Sequence, residues 1–372
     1  MKIIITGNMG YVGPHVVRRM RAVFPDAELI GFDMGYFAQC LTAPAIFPEC
    51  SLTAQYFGDM RRFPEGILQG TDAVIHLAAI SNDPMGALFE DLTLAINHRS
   101  SIDLAQKAKQ AGVKSFVFAS SCSVYGLAEG GPRQEEDSLN PLTAYARSKV
   151  QTEQDLAKLA GSGFTVTCLR FSTACGMSER LRLDLVLNDF VASALTARRI
   201  IILSDGTPWR PLIHVSDMAR AIEWAVRRDH RDGGQFLTAN VGCDSWNYQV
   251  KELAEAVARM VSNVEIIINK NAQPDRRSYR VSFNKFTKLA QGFLPEMDLQ
   301  GAIVDLKNGL EAMQFRDAEF RNSEYIRLNT LKRLQAVGAL TENLEWASWV
   351  TAGEYRTRSV GRSSQAAGAF LS

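Results

Sequence analysis

Tyr145 and Lys149 stand four residues apart in a stretch of helical pattern, so the phenol and the ammonium share one helix face. A phenol is a poor base at its usual pKa of about 10, but a neighbouring ammonium favours the phenolate and brings it toward working pH. Upstream, the run FVFASSCSVYG closes an apolar strand with Ser120, Ser121 and Ser123. A serine hydroxyl within hydrogen-bond reach orients a substrate alcohol and relays its proton. The constellation suits removal of a proton from a hydroxyl while a hydride leaves the same carbon.

A hydride acceptor has its own signature at the first strand. KIIIT runs into Gly7, Asn8, Met9, Gly10, Tyr11, Val12 and Gly13, and a helical pattern follows at once. Gly7 permits the tight turn, Gly10 lets the backbone approach a pyrophosphate, and Gly13 lets the helix pack close to the strand. The helix N-terminus then offers unpaired N–H groups and a partial positive charge. Twenty residues on, Asp33 is placed to accept hydrogen bonds from an adenosine ribose, and its charge repels a 2'-phosphate, which favours NAD over NADP. Asp59, followed by Met60, could meet the adenine or simply be a solvated turn residue.

These residues need elements to hold them. Apolar or β-branched runs at 2–6, 28–32, 73–77, 115–119 and 165–170 alternate with helical patterns near 12–23, 91–111 and 142–160. That alternation predicts an α/β fold built on a doubly wound parallel sheet, with ligands at the carboxyl ends of its strands. Residues 1–174 form the dinucleotide-binding part in this reading, with 211–243 returning to it. Residues 175–210 and 244–350 form a smaller mixed α/β lobe, with helices near 185–197, 248–261 and 326–336 and strands at 200–203 and 264–268; the helix near 217–228 falls in the returning segment. The stretch 351–372 lacks a periodic apolar face and reads as a flexible tail.

Composition narrows the class. Of 372 residues, 46% are hydrophobic and 22% charged, with a formal net charge of +1. Enough apolar side chain exists for a large core, and the even charge argues against a nucleic-acid surface. No run approaches the roughly 18 apolar residues of a membrane helix, and the start has no signal-peptide pattern. Six cysteines, without a CxxC pair or histidines at zinc spacing, read as buried free thiols in a reducing cytoplasm and give no metal site.

Taken together, TGNMGYVG, Asp33, the GDM at 58–60, VIHLAA at 74–79, Asn97, SSCSVYG at 120–126, YARSK at 145–149, LRFST at 169–173 and RPLIHVSD at 210–217 resemble the extended short-chain dehydrogenase/reductases. Within them the chain is similar to the nucleotide-sugar epimerases and dehydratases. The resemblance implies a Rossmann domain that binds NAD, with Leu77, Ala78, Ala79, Asn97 and Ser120 joining the glycine loop at the cofactor. It also implies Ser121 as the catalytic serine beside Tyr145 and Lys149, and a homodimer built through the helices near 97–111 and 142–160. The partner is then a nucleotide-diphosphate sugar. Arg210 matches a diphosphate-binding position and Arg277 resembles a second; Ser81, Ser123, Thr173, Arg180, Arg182 and Asn188 are further substrate-side candidates. His76 and His214 read as framework histidines and Asp217 as a helix N-cap.

Departures from the family narrow the chemistry. The 4,6-dehydratases carry Asp and Glu where this chain has Cys122 and Ser123, and the decarboxylases keep that Glu. The 3,5-epimerases place a cysteine at the position of Ser123. An asparagine expected for substrate is Thr173. Hydride chemistry alone remains, as a 4-epimerase or as a 4-ketoreductase or dehydrogenase, with a dinucleotide-sensing protein as the non-enzymatic alternative.

Overall fold

The computed structural model describes residues 1–42, 44–81, 83–128, 130–269 and 278–351. Seven parallel strands make the central sheet: β1 (Lys2–Thr6), β2 (Glu28–Asp33), β3 (Ala54–Phe57), β4 (Ala73–His76), β5 (Ser115–Ser121), β6 (Thr165–Phe171) and β7 (Phe236–Val241). Their spatial order is β7-β6-β5-β4-β1-β2-β3, which reverses direction between β1 and β4 and opens a ligand crevice above the carboxyl ends of those two strands. In β1 the side chains of Ile3 and Ile5 join one core cluster and Ile4 joins another on the opposite face. Alternation explains why the three central positions of KIIIT are all apolar: both faces are covered.

Seven helices matter for the site: α1 (Gly13–Val23), α2 (Ser100–Gln110), α3 (Ala144–Leu159), α4 (Val186–Ala197), α5 (Val215–Arg227), α6 (Val250–Met260) and α7 (Leu299–Ala312). The helix expected over 91–111 is not continuous. Glu90–Leu94 leads into a π-helical turn, Ala95–Arg99, before α2. Such a turn inserts an extra residue into the ladder and re-aims side chains; here it carries Asn97. The later chain adds a three-stranded sheet of Thr173–Cys175, Trp209–His214 and Asn247–Gln249, and a parallel pair of Arg199–Ile202 and Glu265–Ile268.

Met1–Thr330 is one compact unit, and a second begins at Leu331. Within the second, Leu340 and Trp346 form an antiparallel bridge and Leu344 is buried. The expected tail lies, from 352 on, outside the described residues.

Two expectations are corrected. Helix α5 starts before Asp217, and its N-cap is His214, whose ring accepts from the Ser216 N–H; Asp217 instead accepts the backbone N–H groups of Glu296 and Met297. The cysteines are free, but only Cys40, Cys122, Cys168 and Cys175 are buried; Cys50 is exposed and Cys243 half-buried. Among the described residues no helix is long and apolar enough to cross a membrane, and no cluster of His, Cys, Asp or Glu fits a metal.

Candidate active site

The glycine loop is held by close approaches that only glycine allows. Gly7 has φ +73°, and a Cβ there would lie 2.5 Å from the Ala78 nitrogen. On Gly13 it would lie 1.9 Å from the Asn8 carbonyl oxygen, so α1 presses directly on the turn. Gly10 differs: its Cβ would meet only the Gly7 oxygen, at 3.2 Å, so the loop is open above it, where a pyrophosphate must approach. The Asp33 carboxylate accepts from Met9 N–H at 3.1 Å and Gly35 N–H at 2.7 Å, at the tip of β2 beside the loop; burial raises its pKa and these two bonds oppose that. Glycine turn, helix terminus and carboxylate therefore fit a dinucleotide. Asn8 is buried and donates to Gln55.

Tyr11 is buried and turned away from the loop, donating to the Gly176 carbonyl at 2.6 Å while Asn188 donates to its hydroxyl. Asn188 also accepts from Gly176 N–H, so this candidate sits in a buried network tying the glycine loop to the turn after β6. Asp59 accepts from Arg61 N–H and pairs with the Arg61 guanidinium at 2.6 Å. Met60 belongs to the core beside Phe32 and Phe63, and Val12 also packs against core side chains.

Ser121, Tyr145 and Lys149 come together at the end of β5 and the start of α3. Thr143 caps α3 through Ala146 N–H and itself donates to Asp83 at 2.7 Å. Burial holds the Tyr145 pKa up to about 12, with Asp83 adding to the rise and the Ser121 hydroxyl and Arg182 opposing it. Lys149 is buried, donates to the Ala119 carbonyl at 2.7 Å, and lies 5.5 Å from the Tyr145 ring centre. Burial lowers its pKa to about 8. The expected depression of the phenol by Lys149 is thus absent in this arrangement, because the ammonium is drawn to a strand-end carbonyl. The Ser123 hydroxyl is buried without a partner.

Several supporting residues escaped sequence reasoning. Ser120 bonds to Glu153, which takes a fork from Arg170 at 2.7–3.1 Å. Arg170 also donates to the Tyr125 hydroxyl, and Tyr125 donates to Asn240. Glu153 is four residues beyond Lys149, which is the one signal that could have found it. Asn97 is buried and both accepts from and donates to the Ile80 backbone, and it donates to Ser148, joining the loop after β4 to α3. Leu77 N–H donates to Thr6; Ala78 and Ala79 are half-buried. His76 bridges Thr6 and Ser101 at 2.7 Å each, with its pKa lowered to about 3 by burial, and His214 bonds Ser216 and Asp305. Both act as framework.

The arginines divide. Arg180 is buried and forks onto Glu49 at 2.7 and 3.2 Å. Arg182 is also buried, forks onto Asp184 and donates to Ser81 at 3.1 Å. Both guanidiniums are engaged in ion pairs within the chain. Arg210 is half-buried and donates to the Trp209 carbonyl. Thr173 begins the short strand paired with Leu212. Arg277 lies outside the described residues.

Comparison with known proteins places this geometry. The family described as "NAD dependent epimerase/dehydratase family" matches residues 3–242. A "dTDP-glucose 4,6-dehydratase" of Streptomyces griseus is 28% identical over 309 residues, 81% of this chain and 92% of the relative. A "UDP-glucose 4-epimerase" of Streptomyces lividans is 27% identical over 274 residues, 70% of this chain and 82% of the relative. Among solved structures, UDP-glucose-4-epimerase from Stenotrophomonas maltophila, with bound NAD and formylated UDP-arabinopyranose, superposes with a TM-score of 0.71 at 24% identity, covering 84% of this chain and 99% of that one. The 5,6-dehydratase TunA also gives 0.71, at 23% identity over 86% of this chain and 99% of that one.

Proposed function

The chain belongs to the NAD-dependent epimerase/dehydratase family, and from that premise we propose that it inverts the C4 centre of a nucleotide-diphosphate hexose. Its cofactor is NAD. The observation that carries the reading is that the end of β5 brings Ser121 together with Tyr145 and Lys149, next to two residues, Cys122 and Ser123, that are not carboxylic acids. Loss of water from a hexose needs a general acid and a general base besides the redox pair. The Cys122 thiol is buried, donates to the Arg170 carbonyl, and has its pKa pushed up by burial, so it serves as neither.

NAD, held by the glycine loop and Asp33, would supply the hydride acceptor and donor for the C4 centre. The chain does the rest. Tyr145 takes the C4 hydroxyl proton and later gives it back, with Ser121 holding both oxygens in line. Lys149 holds the cofactor ribose. The Ser123 hydroxyl, buried and unpartnered, is available to the sugar. Arg210 and Arg277 hold the diphosphate through planar forks. UDP-glucose is the first substrate to test, given the relatives' printed activities. The smaller lobe shapes the sugar pocket, and the homodimer forms through α2 and α3 in the cytoplasm.

The experiment is to incubate the protein with UDP- and dTDP-hexoses and resolve the products by chromatography and mass spectrometry. A product of unchanged mass and inverted C4 supports the reading. A product lighter by one water makes the protein a dehydratase, and consumption of added reduced cofactor makes it a ketoreductase.

A further inference from the structure

Three elements converge on one carboxylate at the end of β5. Ser120 of β5 and Arg170 of β6 are register partners on adjacent parallel strands, so their side chains leave the sheet on the same face. Both reach Glu153 of α3. Ser120 donates its hydroxyl to one carboxylate oxygen, and Arg170 closes a fork on both, with Nε 3.1 Å from each and a terminal nitrogen 2.7 Å from one. None of the three residues is more than 5% exposed. The other terminal nitrogen of Arg170 donates to the Tyr125 hydroxyl at 3.0 Å and the Glu135 carbonyl at 3.2 Å, which fixes the plane of the guanidinium. One turn before Glu153, on the same face of α3, Lys149 donates to the Ala119 carbonyl at 2.7 Å. Two consecutive residues of β5, Ala119 and Ser120, are thus tied to two consecutive turns of α3, and Ser121 follows directly.

We propose that Glu153, clamped by Arg170, is a positioning residue: through Ser120 it fixes the last residues of β5 against α3, so that Ser121 and Lys149 keep one alignment toward sugar and cofactor. This rests on Ser121, Tyr145 and Lys149 being the reacting set. Glu153 stands eight residues beyond Tyr145, about 12 Å along the helix, so it acts only through the residues it holds. A buried ion pair kept for stability alone gains nothing from a third partner, since apolar side chains of similar volume often replace such a pair without loss. Here the fork from Arg170 fixes the carboxylate plane, and the charge-assisted bond from Ser120 passes that constraint to the strand end. Hydride and proton transfer are sensitive to such placement, a shift of about 1 Å costing on the order of a hundredfold.

The test separates alignment from stability. S120A cuts the tie and leaves the ion pair in place. E153M/R170M removes the pair without stranding a charge. E153Q/R170M also strands no charge, but the glutamine carbonyl still accepts the Ser120 hydroxyl. With NAD saturating, S120A and E153M/R170M lower kcat for C4 inversion by about 10- to 100-fold with KM little changed, and E153Q/R170M recovers most of that loss. Hydrogen exchange of the peptide spanning Ala119–Cys122, read on the same samples, is faster in S120A and E153M/R170M than in E153Q/R170M. A kcat that simply follows the melting temperature across the set, or wild-type kcat in E153M/R170M, overturns the proposal. Exchange that is the same in all variants of an active C4 epimerase also overturns it. Exchange that changes as stated in a protein whose product is not a C4 epimer removes the assigned reaction and leaves the positioning role intact.

Discussion

Lys149 makes a cost of function measurable as stability. Its side chain is 3% exposed, and burial lowers its pKa from the ordinary 10.5 to about 8. At about 1.4 kcal/mol per pH unit, keeping the ammonium charged in the fold costs about 3 kcal/mol at neutral pH. Lys149→Met keeps the length and apolar contact of the stem but removes both that cost and the bond to Ala119, which is worth about 1.5–3 kcal/mol. The net change at pH 7 is therefore small, from about zero to 2 kcal/mol in favour of the variant. The pH dependence is the sharper signature. Because the folded pKa is depressed, the unfolded wild type binds more protons between pH 8 and 10.5, so wild-type stability rises with pH through that window. The variant lacks this rise, and the difference between the two proteins changes by about 3 kcal/mol from pH 7 to pH 10.5. Urea unfolding of both at pH 7, 8, 9 and 10 gives the comparison. A difference that stays flat across this range refutes the buried-ammonium argument.

Tyr145→Phe retains the melting temperature within about 2 °C and loses at least ~100-fold in turnover, because only the proton-transfer group is gone; steady-state kinetics beside a thermal melt checks both. Gly13→Ala drives a Cβ to 1.9 Å from the Asn8 oxygen and destabilises the protein by about 3 kcal/mol or more. Gly10→Ala puts a Cβ 3.2 Å from the Gly7 oxygen alone, lowers the melt far less than Gly13→Ala does and weakens NAD about tenfold by calorimetry; equal effects at the two glycines contradict the cradle. Glu153→Ala strands the buried Arg170 and costs about 3–5 kcal/mol in denaturant unfolding, whereas a cost below about 1 kcal/mol means that the pair is not what holds the end of β5.

The parallel sheet was legible because strands such as KIIIT and SFVFA are apolar on both faces, and because the glycine loop is a local pattern that needs no partner to be read. Strand β3 was missed because it is a short edge strand whose Tyr56 and Phe57 are exposed, which blurs any periodicity. Strand β7 was missed because Thr238 and Asn240 interrupt the apolar run; Asn240 is there to accept from Tyr125. Helix α7 went unread although its Asp298 caps it through Gly301 N–H, since Gly301 and Gly309 lower helical propensity. In the site, Tyr145 and Lys149 were readable from spacing, whereas Ser121 was singled out among three strand-end serines only by the family resemblance. The partners of Arg180 and Arg182 were not, since Glu49 is 131 residues from the first and Ser81 101 residues from the second. The direction in which Lys149 points is likewise a tertiary fact that no i, i+4 rule contains.

The most direct test uses nucleotide hexoses carrying deuterium at C4, offered to the protein in ordinary water with its own NAD and no added cofactor. A C4-inverted product that keeps its deuterium at C4 is the predicted result, because the hydride is removed and returned without leaving the site. A product with inverted C4 and no deuterium there, or a product that has lost water, contradicts the account.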